Sequence, residues 1–206
     1  MNILIADDHP AIRSGLEAML KDMNWQVSAC VSSGELAYEH YCQQKADVVV
    51  LDLSMPGIGG IETARRIKAR DTDARIIIYS MHSAVMYAKQ ALMAGALSFV
   101  LKSTAIDDLF HAIKQVAQGR SYLSHEVAQK MAMSNVMGDS PIDKLSTREF
   151  EVLCLLANGK GVGDIAEILS ISKKTVATYQ TQLKRKLELN STADLVKLAI
   201  EHELID

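Results

Sequence analysis

Five short apolar runs, separated by stretches of helical periodicity, restrict this chain's fold more than any other feature. They occupy residues 2–6, 25–31, 46–52, 75–80 and 98–102. Most are continuous rather than alternating, which suits strands covered on both faces. Between them, apolar residues recur at spacings of three and four. Ile12, Leu16, Met19 and Leu20 share one helical face, Ile61, Ala64 and Ile67 a second, and Leu109, Ile113 and Val116 a third. Strand and helix in alternation predict an α/β doubly wound domain on a five-stranded parallel sheet. Gly119 is placed to close its last helix, so this domain is expected over residues 1–120.

The pattern then changes. Residues 121–144 are more polar and read as a helical linker, with Ser124 placed to cap a helix starting at His125. Met131, Met133 and Met137 either pack one domain on the other or fill gaps. Over residues 145–206 no strand pattern survives, and an all-α domain of four helices is expected. Ser146 with Glu149, and Ser191 with Asp194, have capping-box spacing. Gly159 is placed to end the first of these helices and Ser172 to cap the third.

With 206 residues, 49% of them hydrophobic, the chain is long enough for two cores. No apolar run approaches the roughly 18 residues of a membrane span. The N-terminus lacks the basic segment of a signal peptide, so a cytoplasmic protein without membrane contact is expected. Cys30, Cys42 and Cys154 have no metal-ligand spacing and fit a reducing compartment as small hydrophobes. The six histidines are scattered and suit surface or packing roles. A net charge of −3 gives no hint of nucleic acid. Its distribution does: residues 173–186 hold Lys173, Lys174, Lys184, Arg185 and Lys186 and no acid. That run either meets phosphates or is simply a solvated helix face.

Doubly wound sheets gather functional residues at the carboxyl ends of their strands. Asp7 and Asp8 follow the first run, and Asp52, Ser80 and Lys102 end three others. Carboxylates this close resist ionisation unless something compensates. A hard cation bound by oxygens, Mg²⁺, supplies that compensation. A carboxylate beside Mg²⁺ and an ammonium is equipped to attack a phosphoryl donor. Asp7 and Asp8 alone read equally well as a helix-capping pair; all five residues at strand ends do not.

These residues resemble the receiver domain of two-component response regulators. The resemblance is carried by Ala6-Asp7-Asp8-His9, Asp52 with Met55-Pro56-Gly57 and Gly60, Ser80, Ala94-Gly95-Ala96 and Phe99-Val100-Leu101-Lys102. It implies that Asp52 is the phosphoacceptor. Asp7, Asp8 and Asp52 would hold Mg²⁺ with the backbone carbonyl of Ser54. Lys102 would pair with the phosphoryl group, Ser80 would move to bond it, and the Phe99 ring would shift in step. The sequence departs from the family in two places. Ser103 stands where Pro is common after the lysine, and Phe99 lacks the hydroxyl of the frequent tyrosine.

Residues 145–206 resemble the LuxR-type helix-turn-helix of the NarL/FixJ group. The carriers are Leu145-Ser146-Thr147-Arg148-Glu149, Ile165-Ala166 with Leu169, Ile171-Ser172 with Thr175-Val176, and Leu183 to Leu187. Val176, Leu183 and Leu187 make an apolar stripe, with Ala177, Thr178, Thr181, Lys184 and Arg185 near the opposite side. The resemblance makes 173–187 the recognition helix. Lys173, Lys174, Thr175, Thr178, Thr181, Gln182, Lys184 and Lys186 become candidates for contact with double-stranded DNA. Leu195, Leu198 and Ala199 either pair two copies or close the small core. Ala177 and Tyr179 replace a frequent lysine and histidine, and Gly161 and Gly163 replace a Ser cap and a longer polar residue.

The expected function is transcription regulation. Phosphorylation by a histidine kinase or phosphotransfer protein would control homodimerisation and DNA binding, with RNA polymerase a further candidate partner. The only catalysis expected is Mg²⁺-dependent phosphorylation and dephosphorylation of Asp52 itself. Two rivals differ in class. A haloacid-dehalogenase-like phosphatase needs a carboxylate two residues after Asp7, where His9 stands. An adaptor using the helical domain for protein contacts would follow if Ala177 spoils base reading.

Overall fold

In the computed structural model, residues 1–137 and 140–205 are described. The chain runs β1 (Asn2–Ala6), α1 (Pro10–Asp22), β2 (Gln26–Val31), α2 (Gly34–Gln43), β3 (Val48–Asp52), α3 (Gly59–Arg70), β4 (Ile76–Ser80), α4 (Val85–Met93), β5 (Ser98–Leu101) and α5 (Ile106–Val116). It continues through β6 (Tyr122–Leu123), α6 (His125–Met137), a 3₁₀ turn (Pro141–Lys144), α7 (Thr147–Ala157), α8 (Val162–Ile168), α9 (Lys173–Lys186) and α10 (Thr192–Glu201).

The sheet is parallel throughout, in the order β2-β1-β3-β4-β5-β6. The five expected strands are present. The sixth is a correction: Tyr122 and Leu123 pair with Ser98 and Phe99. Two residues carry no periodicity, so only the tertiary contact reveals this strand. It attaches the start of the expected linker to the sheet. The Gly138-Asp139 part of that linker lies outside the described residues.

Strand side chains alternate between two cores. Ile3, Ile5, Val48, Val50, Ile77 and Val100 face Leu16 and Leu20 of α1 and Leu109, Ile113 and Val116 of α5. Leu4, Val49, Leu51, Ile76, Ile78 and Phe99 face the other way, toward α2, α3 and α4. Both faces are therefore covered, which explains runs without alternation. Met19, expected on the buried face of α1, is 44% exposed. The Ser124 hydroxyl, expected to cap α6, is buried without a hydrogen-bond partner.

Capping chemistry starts the C-terminal helices where the sequence puts it. The Ser146 N–H donates to Glu149 Oε2 at 2.8 Å, and the Ser191 N–H to Asp194 Oδ2 at 2.8 Å. Ser172 Oγ accepts from the Thr175 N–H at 3.0 Å. Gly161 has no hydroxyl to offer, yet Asp164 still accepts its N–H at 3.0 Å. Gly159 ends α7 at a φ of +76°, a left-handed conformation that glycine adopts without strain.

The α2–α4 core continues without a break into the core of the C-terminal helices. Helix α4 carries the polar contacts of that junction. The Tyr87 hydroxyl donates to the Leu204 carbonyl at 3.0 Å, and its ring meets Phe150 edge-on with centroids 5.2 Å apart. Lys89 bonds both carboxylate oxygens of Asp143 at 3.0 and 3.1 Å. Gln90 donates to the Leu145 carbonyl at 3.2 Å. Met131 of α6 packs against the core, whereas Met133 is exposed.

Candidate functional site

The strand order reverses between β1 and β3, so a crevice opens at their carboxyl ends. Asp7 and Asp8 leave β1 there and Asp52 ends β3. Lys102, one residue past β5, reaches across. Its ammonium lies 2.6 Å from Asp7 Oδ2 and 3.1 Å from Asp52 Oδ1, and all three side chains are almost fully buried. Burial pushes the Asp52 carboxyl above its ordinary pKa; Lys102 opposes this, while Asp7 and Asp8 add to it. One lysine thus faces more negative charge than it can balance.

The donor set fits a hard cation. Ligand atoms of Asp7, Asp8, His9 and Asp52 lie within 4.8 Å of one another. Asp8 Oδ1 is buried and makes no hydrogen bond, although His9 Nδ1 lies 2.7 Å away. His9 also donates its N–H to Asp7 Oδ1 at 2.9 Å. Ser80 and Phe99, the two expected moving parts, are both buried at strand positions beside the crevice. The Lys102–Ser103 peptide bond is trans, as are all bonds among the described residues.

The loop after Asp52 is tightly held. A side chain on Gly60 would meet the Asp52 carbonyl oxygen at 2.1 Å, so only glycine lets α3 start this close to β3. Gly57 adopts φ +81°, and Glu35 accepts the next N–H, that of Ile58, at 2.9 Å. Ser54 is exposed, and its hydroxyl lies 2.8 Å from His82 Nε2. Sequence reasoning did not find Glu35, His82 or Tyr87 as parts of the site. Their partners lie 23, 28 and 117 residues away, and no local pattern signals such contacts.

Helix α8, a turn with Ser170 at φ +53°, and helix α9 form a helix-turn-helix pair. Val176 and Leu183 of α9 are fully buried and Leu187 nearly so. Lys173, Lys174, Ala177, Thr178, Thr181 and Arg185 are exposed. The Thr178 and Thr181 hydroxyls donate back to the carbonyls of Lys174 and Ala177, each at 3.0 Å. Thr175 is tied to Ser172, while Gln182 and Lys184 are half-buried.

Two groups of expected contact residues have structural partners of their own. Lys186 lies 2.7 Å from the buried Glu149 carboxylate and ties the base of α9 to the start of α7, while 35% of its side chain stays exposed. Burial alone would raise the Glu149 pKa, but Lys186 and Ser146 outweigh it and hold that carboxyl below its ordinary range. On α10, Leu195 and Ala199 are buried at 1% and 0% exposure and Leu198 packs half-buried against the same cluster, which is the core-closing alternative. Leu195 and Ala199 offer no surface to a second copy; Ile200, 57% exposed, does.

An acidic pocket of this kind on a doubly wound domain, joined to a helix-turn-helix, defines a two-domain regulator with a receiver and a DNA-binding output. The response regulator receiver domain family matches residues 3–114, and the luxR family of bacterial regulatory proteins matches residues 143–199. The chain is a response regulator with a receiver domain and a LuxR-type DNA-binding domain. It is 35% identical to the response regulator UvrY of Escherichia coli (strain K12), over 99% of this chain and 95% of that one. It is 32% identical to the response regulator GacA of Pseudomonas aeruginosa, over 100% and 98% of the two chains. RcsB from Salmonella enterica serovar Typhimurium, solved bound to a promoter in the presence of phosphomimetic BeF3−, superposes with a TM-score of 0.75. That match has 28% identity and covers 96% of this chain and 97% of that one.

Proposed function

We propose that Asp52 accepts a phosphoryl group from a histidine kinase or phosphotransfer protein in the cytoplasm, and that this controls dimerisation and promoter binding. The observation that carries the reading is the Lys102 ammonium lodged between the Asp7 and Asp52 carboxylates at the sheet's switch point. In this reading Asp7, Asp8, Asp52 and the Ser54 carbonyl hold Mg²⁺, which neutralises charge on the transferring oxygens when bound. A carboxylate oxygen of Asp52 attacks phosphorus, and the bond from phosphorus to the donor's leaving group breaks. Lys102 shifts from Asp52 toward the new phosphoryl oxygens, and the Ser80 hydroxyl donates to another. Phe99 fills the space that this movement leaves.

Lys173, Lys174 and Lys184 then meet DNA phosphates, and Thr175, Thr178, Thr181 and Gln182 approach base edges in the major groove. No described helix is long and apolar enough to cross a membrane. RNA polymerase is the partner that a promoter-bound dimer would engage. The pocket reading is tested by intact-mass measurement after incubation with acetyl phosphate. Wild type should gain one phosphoryl group only when Mg²⁺ is present, and Asp52→Asn should gain none. Equal incorporation by both proteins sinks the assignment.

A further inference from the structure

His82 connects the acidic pocket to the C-terminal domain through three contacts. Its Nε2 lies 2.8 Å from Ser54 Oγ, in the loop leaving Asp52. Its backbone N–H donates to Ser80 Oγ at 3.0 Å, at the end of β4. Its ring lies on Tyr87, centroids 4.7 Å apart and tilted by 34°. Tyr87 is buried, with its edge on Phe150 and its hydroxyl bonded to the Leu204 carbonyl. Half-buried His82 therefore meets the Asp52 loop and Tyr87 with its ring, and the end of β4 with its backbone N–H.

We propose that His82 is a positioning residue. With Asp52 unmodified, it holds Tyr87 in the seat made by Phe150 and the Leu204 carbonyl; phosphorylated Asp52 withdraws it. The inference rests on the reading of Asp52 given above. A phosphoryl group brings nearly two negative charges and three acceptor oxygens. When Ser80 turns its hydroxyl toward one of them, the His82 N–H loses its acceptor. The segment from Met81 to Ala84 then follows Ser80, and the imidazole leaves the Tyr87 ring.

The seat of Tyr87 borders an open cleft on its Asp52 side. A cavity of about 390 Å³ lies between the Asp52 loop and the C-terminal domain, lined by Ser54, Gly57, His82, Tyr87, Cys154 and Leu169 among others. Interiors without such a gap resist separation through dispersion contacts over the whole surface. Beside Asp52 this cleft interrupts the shared core, so a change at His82 acts on the one side of the junction that is open to movement.

The test uses the full chain as wild type, His82→Ala, His82→Phe and Tyr87→Phe, each with acetyl phosphate and Mg²⁺. Intact mass reports phosphoryl uptake. Amide hydrogen exchange reports α4 and residues 198–205. All four proteins should take up the phosphoryl group. In wild type this should raise exchange in both segments by roughly fivefold or more, the lower end of usual allosteric coupling. His82→Ala and Tyr87→Phe should already exchange at that raised level before phosphorylation and gain little from it. His82→Phe keeps a ring on Tyr87 and should restore resting protection, which a loss of general stability would not predict. Wild-type uptake together with wild-type protection and gain in His82→Ala overturns the role of His82. Absence of uptake in wild type overturns the Asp52 reading instead, and the mass separates these two failures.

Discussion

Lys102 is the residue on which the pocket's charge balance turns. Burial and two neighbouring carboxylates raise the Asp52 pKa, and Lys102 opposes them. Lys102→Ala should leave the fold intact but remove the DNA-binding gain that phosphorylation brings, read by titration of DNA with phosphorylated and unphosphorylated protein. A wild-type gain in that variant removes Lys102 from the mechanism. Glu151, which lines the cavity between the domains, carries a second prediction. Burial pushes its pKa up to about 7 from 4.5, with Arg148 opposing and Glu62 reinforcing. Between those values the folded chain keeps a proton that the unfolded chain releases, so stability falls as pH rises through the window and is level above it. Glu151→Gln should flatten this slope, a difference of roughly 1–3 kcal/mol between pH 5 and pH 8. Urea unfolding at the two pH values checks it; parallel slopes for both proteins contradict it.

At the scale of elements, α9 separates residues that hold the helix from residues that face outward. Lys173→Ala and Lys174→Ala should weaken binding to all DNA sequences alike, each lowering the salt slope by about one. Thr178→Val or Thr181→Val should instead change preference among sites. Lys186→Ala should act differently from both, lowering stability by about 1–2 kcal/mol because Glu149 loses its counter-charge, a value discounted for partial exposure of the lysine. Titrations at several salt concentrations beside thermal melting tell the three outcomes apart. Loss of one phosphate contact in Lys186→Ala with unchanged melting would show that the lysine is free to meet DNA. For α10, Ile200→Lys should weaken self-association of the phosphorylated chain, read by sedimentation, without lowering the melting temperature. An unchanged dimer removes Ile200 from the interface.

Most of the elements were legible because their signals are local. The continuous apolar strands, the boxes at Ser146 and Ser191, and the cap at Ser172 each depend on neighbours within a few residues. Asp7, Asp8, Asp52, Ser80 and Lys102 were legible as a cluster because a parallel sheet aligns its strand ends. Neither argument reaches Tyr122–Leu123, too short for a pattern, or Leu195 and Ala199, whose apolar character suits a core and an interface equally. The same limit hid the paired Lys186, since its partner Glu149 lies 37 residues earlier in the chain.

Over the whole molecule, the receiver and the C-terminal helices share one continuous apolar cluster, yet α9 keeps its outward face exposed. On the function proposed above, control of DNA binding in such an arrangement is a shift between closed and open or dimeric forms. It is worth about 1–3 kcal/mol where coupling is of ordinary size. The most direct measurement is the affinity of the full chain for a DNA fragment selected from genomic DNA, at fixed salt, with and without beryllofluoride and Mg²⁺. Wild type should bind roughly 5–150-fold more tightly with the phosphoryl mimic, and Asp52→Asn should show no change. The same affinity for wild type in both conditions, or an equal gain in Asp52→Asn, would contradict control of DNA binding through Asp52.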